Sequence, residues 1–126
     1  MSLALNHLHT RYQRGGSLQT GQGTDCSGFV RHVYQNLQIE LPHSSAQQAR
    51  LGKVAARHMD LSKLEVGDLL FFRRSRSIDH VGIYMGEGQM IHASSRRRGV
   101  IITDLRQSYF TDNFVVAKRL LVKPQP

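Results

Sequence analysis

The chain reads as an α+β domain in which the helices come first and an antiparallel sheet second. Three observations predict this. Phe29, Val33 and Leu37 recur at helical spacing behind Asp25, a good N-cap, with Val30 and Tyr34 flanking the same stripe. The second half carries short apolar or alternating runs instead: Leu69-Leu70-Phe71-Phe72, His80 to Met85, Gln89 to Ser94, Val100 to Thr103, and Phe114 towards Leu121. Glycine and polar turns separate these runs, so the two kinds of element are segregated along the chain rather than alternating.

Taken in order, residues 1–11 hold the stub of a helix, Leu3 to Thr10, too short to stand without packing on a domain. Residues 12–121 form one domain and 122–126 a tail. A glycine-rich loop runs from Tyr12 to Asp25 and lacks the lysine and serine of a phosphate-binding loop. The first helix is expected from Cys26 to Gln38, with Pro42 barring any continuation. Ser44 and Ser45, each followed three residues later by glutamine, start a second helix that ends near Leu51 with Gly52 as its C-cap. The apolar run Leu69 to Phe72 is a buried strand. Leu105 to Asn113 is read as a connection anchored by Tyr109 and Phe110, which leaves a five-stranded sheet.

The hairpin deserves its register. If Gly86-Glu87-Gly88 forms a three-residue loop with Gly88 left-handed, Met85 pairs with Gln89. Gly82 then lies opposite His92, and His80 and His92 become diagonal neighbours on one face, roughly 7–8 Å apart. A two-residue loop would throw them to opposite faces.

Charge and composition narrow the function classes. Seventeen Lys and Arg against nine Asp and Glu give +8 and a pI near 10.4, a surface that attracts polyanions. The arginines gather at Arg73, Arg74 and Arg76 and at Arg96 to Arg98. No aromatic residue interleaves with them, which argues against specific nucleic-acid binding. No run of 18 apolar residues could span a membrane, and Leu3 to Leu8, broken by Asn6 and His7, is no export signal. A single cysteine excludes an internal disulfide.

That cysteine, Cys26, sits in the first turn of the first helix. Unpaired N–H groups and the helix dipole favour an anion there, and a nearby imidazolium can bring a thiol pKa well below neutrality. Thiol, histidine and second polar ring are the parts of an activated nucleophile. In this reading Cys26 attacks a carbonyl, His80 is its base, and His92 bonds the far nitrogen of His80 and fixes its tautomer. The N–H groups at the helix start are oxyanion donors, with the Tyr12 hydroxyl as helper. Ser27 is a candidate for positioning substrate, although local hydrogen bonding is its simplest role. Other classes remain open: a zinc module on Cys26, His80 and His92, without the paired spacing of structural sites; a basic nucleic-acid binder; and a thiol acyltransferase sharing the acyl-enzyme chemistry. The peptidase reading needs no metal or cofactor.

Asp25-Cys26-Ser27-Gly28-Phe29-Val30, Leu41-Pro42 before Ser44, Gly67-Asp68-Leu69-Leu70-Phe71-Phe72, His80-Val81-Gly82-Ile83-Tyr84 and Ile91-His92-Ala93-Ser94 together resemble the ordered motifs of the NlpC-type cell-wall peptidases. The similarity runs from about Tyr12 to Leu121 and is nearest to small lipoprotein members of Gram-negative bacteria. It implies a papain-like fold with helices packed on the sheet, hydrolysis of murein stem-peptide amides, Cys26 as nucleophile, His80 as base and His92 as third member. It also places Tyr12 near the cysteine, although Arg14 stands where family members usually carry an aromatic residue. The implied setting is extracytoplasmic, with a peptidoglycan substrate, a basic surface drawn to the polyanionic wall, a monomeric state, and membrane contact only through a lipid anchor outside this chain.

Overall fold

The computed structural model describes residues 25–74, 76–95 and 99–120. The expected helix stub, Tyr12 and its glycine-rich loop, the Arg96 to Arg98 run, and the tail lie outside the described residues. Helix α1 spans Cys26–Gln35 and α2 Ser45–Gln48. Strands follow at Lys53–Ala56 (β1), Leu69–Phe72 (β2), His80–Gly86 (β3), Gln89–Ser95 (β4) and Gly99–Asp104 (β5). A short helix α3, Ser108–Asn113, leads into β6, Phe114–Arg119. The strands form one antiparallel sheet in the order β1-β6-β2-β3-β4-β5. The class is α+β, as expected, but the sheet has six strands rather than five.

The additional strand is β1, which lies at an edge and pairs with β6. Its sequence, Lys53-Val54-Ala55-Ala56, lacks the density of β-branched and aromatic residues that marks a strand in isolation. Pairing supplied by β6 overrides that weak preference. The stretch read as a plain connection contains α3, which presents Phe110 to the sheet while Tyr109 stays half-exposed.

Helix α1 starts where its cap predicts. Asp25 accepts the Gly28 N–H at 2.7 Å. It ends three residues before Gln38, because Gln38 takes the left-handed conformation (φ 63°) and the chain closes on itself. The Ile39 and Gln38 N–H groups donate to the Tyr34 and Gln35 carbonyls, the paired bonds of a Schellman motif. Leu37 is therefore carried off the apolar stripe and is exposed. Phe29, Val30, Val33 and Tyr34 remain buried and pack with Leu69, Phe71, Val81, Ile83, Ile91 and Ala93 on one face of the sheet.

The other face is also covered. Leu70, Phe72, Tyr84, Met90, Leu105 and Ala117 form a second buried cluster, closed over by Phe110 and Phe114. All four β2 residues are consequently buried, which explains an unbroken apolar run at the sheet centre. Asp68, almost fully buried before β2, receives Arg119 from β6 through two bonds of 2.8 Å and also accepts the Glu65 N–H. This bidentate pair ties the strand start to the end of the chain's last strand.

The hairpin reaches its expected register by an unexpected route. Glu87 and Gly88, with φ of 55° and 76°, make a two-residue turn of the I′ kind, and Gly86 pairs with Gln89. Such a turn alone would slip the ladder by one residue. A bulge between Tyr84 and Gly86 absorbs Met85, so Ile83 still pairs with Ile91 and Tyr84 with Met90. Gly82 is required at this point, since a Cβ there would stand 2.3 Å from the Met90 sulfur and 3.1 Å from His92 Cβ. Met90 is fully buried and has nowhere to retreat. Gly82→Ala is therefore expected to destabilise the fold by about 1–3 kcal/mol, the usual cost of overpacking, as read from chemical denaturation midpoints. An unchanged midpoint would show that the interior at His92 is looser than described.

Candidate functional site

Five elements converge on the site. Helix α1 delivers Cys26 at its first position, where the residue is buried (8% exposed). The thiol donates to the Asp79 carbonyl at 3.8 Å, so it lies against the chain just before β3. Ser45 of α2 reaches the same segment, its hydroxyl 3.5 Å from the Ile78 carbonyl. Strand β3 then supplies His80, β4 supplies His92, and β5 supplies Thr103.

The two imidazoles meet as the hairpin register requires. His80 Nε2 and His92 Nδ1 are 2.7 Å apart, with ring planes at 80°. His92 Nε2 continues to the Thr103 hydroxyl at 2.8 Å. Because His92 pairs with Ile101 across β4 and β5, Thr103 is its diagonal neighbour on the same face. Phe72 and Phe110 stand against the rings on the apolar side. His80 and His92 are 3% and 1% exposed, and His80 Nδ1 is a buried nitrogen with no hydrogen-bond partner among the described residues.

Burial dominates the electrostatics. It pushes the Cys26 thiol above its usual value, and the Asp25 carboxylate adds to the rise, while the Val81 and Ser27 backbone and Arg74 pull the other way. The His80 imidazole is held well below its ordinary range, first by burial and then by the charges of His92 and Arg74. The sequence pointed to a thiolate lowered by the helix dipole. In the structure desolvation is the largest influence on the thiol and raises its pKa, as it lowers that of the imidazole.

The remaining predicted residues divide. Ser27 is buried, its hydroxyl turned 3.5 Å from its own cap residue's carboxylate and its carbonyl held by Gln48 Nε2 at 3.1 Å. Tyr12 lies outside the described residues. Gln48, read as half of a capping box, points inward instead and also donates to the Pro42 carbonyl at 2.9 Å, bracing the start of α1. Thr103 was not singled out from sequence. Only the β4–β5 register shows that a hydroxyl is delivered to His92, and strand sequences alone do not carry register. Beside the imidazoles opens a cleft of about 310 Å³ whose rim carries Arg74, Ser94, Gln107 and Tyr109. Asp79 anchors Arg74 there, its carboxylate accepting the Arg74 backbone N–H at 3.1 Å and lying 3.9 Å from the guanidinium Nε.

An α+β fold in which a helix-borne cysteine lies against the chain just before the strand that carries His80 defines the class, and comparison with known proteins gives the family. The profile of the NlpC/P60 family matches residues 9–119, and the chain belongs to this family. It is 41% identical over 112 residues to the murein DD-endopeptidase MepS/murein LD-carboxypeptidase of Escherichia coli K12, covering 88% of this chain and 56% of that protein. It is 39% identical over 113 residues to a probable endopeptidase NlpC homolog of Haemophilus influenzae, covering 89% and 56%. A crystal structure of an NlpC/P60 family protein from Bacillus cereus superposes with a TM-score of 0.80 at 34% identity, over 91% of this chain and 37% of that one. The chain thus spans about half the length of the curated relatives it matches.

The buried neutral imidazole has a consequence for stability. Below about pH 6.5 an unfolded chain protonates this histidine while the folded one resists, so unfolding takes up a proton and stability falls as pH drops towards the depressed folded value. Between pH 7 and 5 the wild type should lose stability more steeply than His80→Phe, by up to about 1.4 kcal/mol per pH unit. Thermal unfolding at stepped pH measures this; equal slopes would mean that His80 titrates normally.

Proposed function

We propose that this domain hydrolyses amide bonds in the stem or cross-link peptides of bacterial peptidoglycan through a cysteine acyl-enzyme. The carrying observation is that His80 keeps Nδ1 unbonded while its Nε2 is engaged by His92, at the strand start against which the Cys26 sulfur lies. A base with one nitrogen oriented by a neighbour and the other unbonded suits proton exchange with a thiol.

In this mechanism the sulfur attacks the scissile carbonyl carbon as its proton passes to His80 Nδ1. The imidazolium is steadied by His92. The oxyanion is met by backbone N–H groups at the start of α1, where the dipole is also favourable, and by Tyr12. Collapse breaks the C–N bond, and His80 returns the proton to the departing amine. Water then attacks the thioester, giving its proton to His80, which restores the thiol as the carboxylate leaves. Ser27 holds the helix mouth through its bonds to Asp25 and Gln48, and in this way positions the substrate carbonyl.

The substrate class follows from the family and from the cationic rim at Arg74 and the +8 surface, both suited to an anionic wall and its carboxylate-bearing peptides. The protein acts outside the cytoplasm, as a monomer. Residues 12–121 constitute the catalytic unit. Among the described residues no three His, Cys, Asp or Glu side chains converge on a metal position, and the facing nitrogens of His80 and His92 are bonded to one another, which favours the peptidase over the zinc module. Cys26→Ala should abolish release of fragments from purified sacculi, by more than about 10³-fold, while melting within a few degrees of the wild type. Fragment release at the wild-type rate by a folded Cys26→Ala protein would overturn the proposal. Incorporation of ¹⁸O from labelled water into the new carboxylate distinguishes hydrolysis from acyl transfer to an amine.

A further inference from the structure

A neutral imidazole has one N–H and one bare nitrogen, so a buried row of two rings and a hydroxyl permits only two proton arrangements. In the first, His80 Nε2–H donates to His92 Nδ1, His92 Nε2–H donates to the Thr103 oxygen, and His80 Nδ1 is bare. In the second every bond is reversed: Thr103 donates to His92 Nε2, His92 Nδ1–H donates to His80 Nε2, and His80 Nδ1 carries a proton. That last nitrogen decides between them. It is buried and meets no acceptor among the described residues, and orphaned buried N–H groups are rarer in folded proteins than under-satisfied acceptors. The first arrangement is therefore the resting one, and it alone leaves His80 able to take a proton from a thiol.

We propose that Thr103 is a positioning residue of the reaction, its hydroxyl oxygen accepting the His92 Nε2–H and so holding both histidines in the tautomers that keep His80 Nδ1 bare. This rests on the assignment of His80 as the base. The geometry fits the role: Thr103 Oγ1 stands 2.8 Å from Nε2, the side chain is largely buried, and His92 at 1% exposure has little access to water as a substitute acceptor. Without the hydroxyl, the first arrangement loses the Thr103 oxygen that accepts the His92 Nε2–H, and the preference for the productive tautomer is weakened.

The test reads the ring nitrogens directly. In ¹⁵N-histidine-labelled protein above pH 7, the wild type should show pyridine-type Nδ1 and pyrrole-type Nε2 on both His80 and His92. In Thr103→Val the shifts of both rings should move towards the opposite tautomer. Turnover of a soluble murein peptide should fall about 10- to 100-fold in kcat, with KM unchanged within about twofold, and Thr103→Ser should recover most of the loss. A wild-type spectrum with the proton on His92 Nδ1 would overturn the proposal and needs no variant to fold. Loss of activity in Thr103→Val with the wild-type nitrogen pattern would overturn it equally, as would undiminished kcat. The same spectrum recorded on Cys26→Ala separates this inference from the assignment of function. If that protein still cleaves murein, the peptidase mechanism fails whatever the tautomers are.

Discussion

The 2.7 Å bond between His80 and His92 is the constraint around which this domain is arranged. Two side chains twelve residues apart can meet in this way only if β3 and β4 hold one register, and a slip of one residue would send one ring to the opposite face. The bulge at Met85, the I′ turn at Glu87-Gly88 and the absent side chain at Gly82 all serve that register. The bond also has to be kept from water. Phe72 on β2 and Phe110 on α3 cover the rings, which accounts for a sheet buried on both faces in a chain of this size.

Burial also sets the chemistry. A helix N-terminus favours a thiolate, but that effect fades within a turn and is modest beside the cost of an uncompensated buried charge. Burial accordingly raises the Cys26 thiol and lowers the His80 imidazole, each away from its charged form. In the proposed mechanism charge separation belongs to the moment when a carbonyl is in place, and the groups assigned to stabilise it, at the helix mouth and along the histidine row, are already oriented. The Asp68–Arg119 pair and the Gln48 braces stand behind this geometry, fixing the sheet and the start of α1 respectively.

Much of this was legible in the residues. The position of Cys26 followed from Asp25 and the apolar stripe, and the meeting of the histidines from counting along the hairpin. The hairpin count came out right although its loop was misjudged, because bulge and shorter turn cancel. What escaped was everything that depends on a partner strand or on burial. Strand β1 is legible only beside β6, Gln48 looked like a cap because capping and inward bracing share one spacing, and Leu37 fits the stripe until Gln38 turns left-handed. Thr103 carries no local signal. The burial of the thiol escaped for a related reason: sequence reveals a helix start directly but reveals desolvation only once the core is assembled.

The rate at which Cys26 is alkylated by iodoacetamide, followed across pH, tests the central claim most directly. A neutral, buried thiol beside a neutral imidazole predicts slow alkylation at acid pH and a rate that keeps climbing beyond the ordinary thiol value of 9.0. Fast alkylation on a plateau already reached near pH 5 would reveal a preformed thiolate–imidazolium pair and contradict the account.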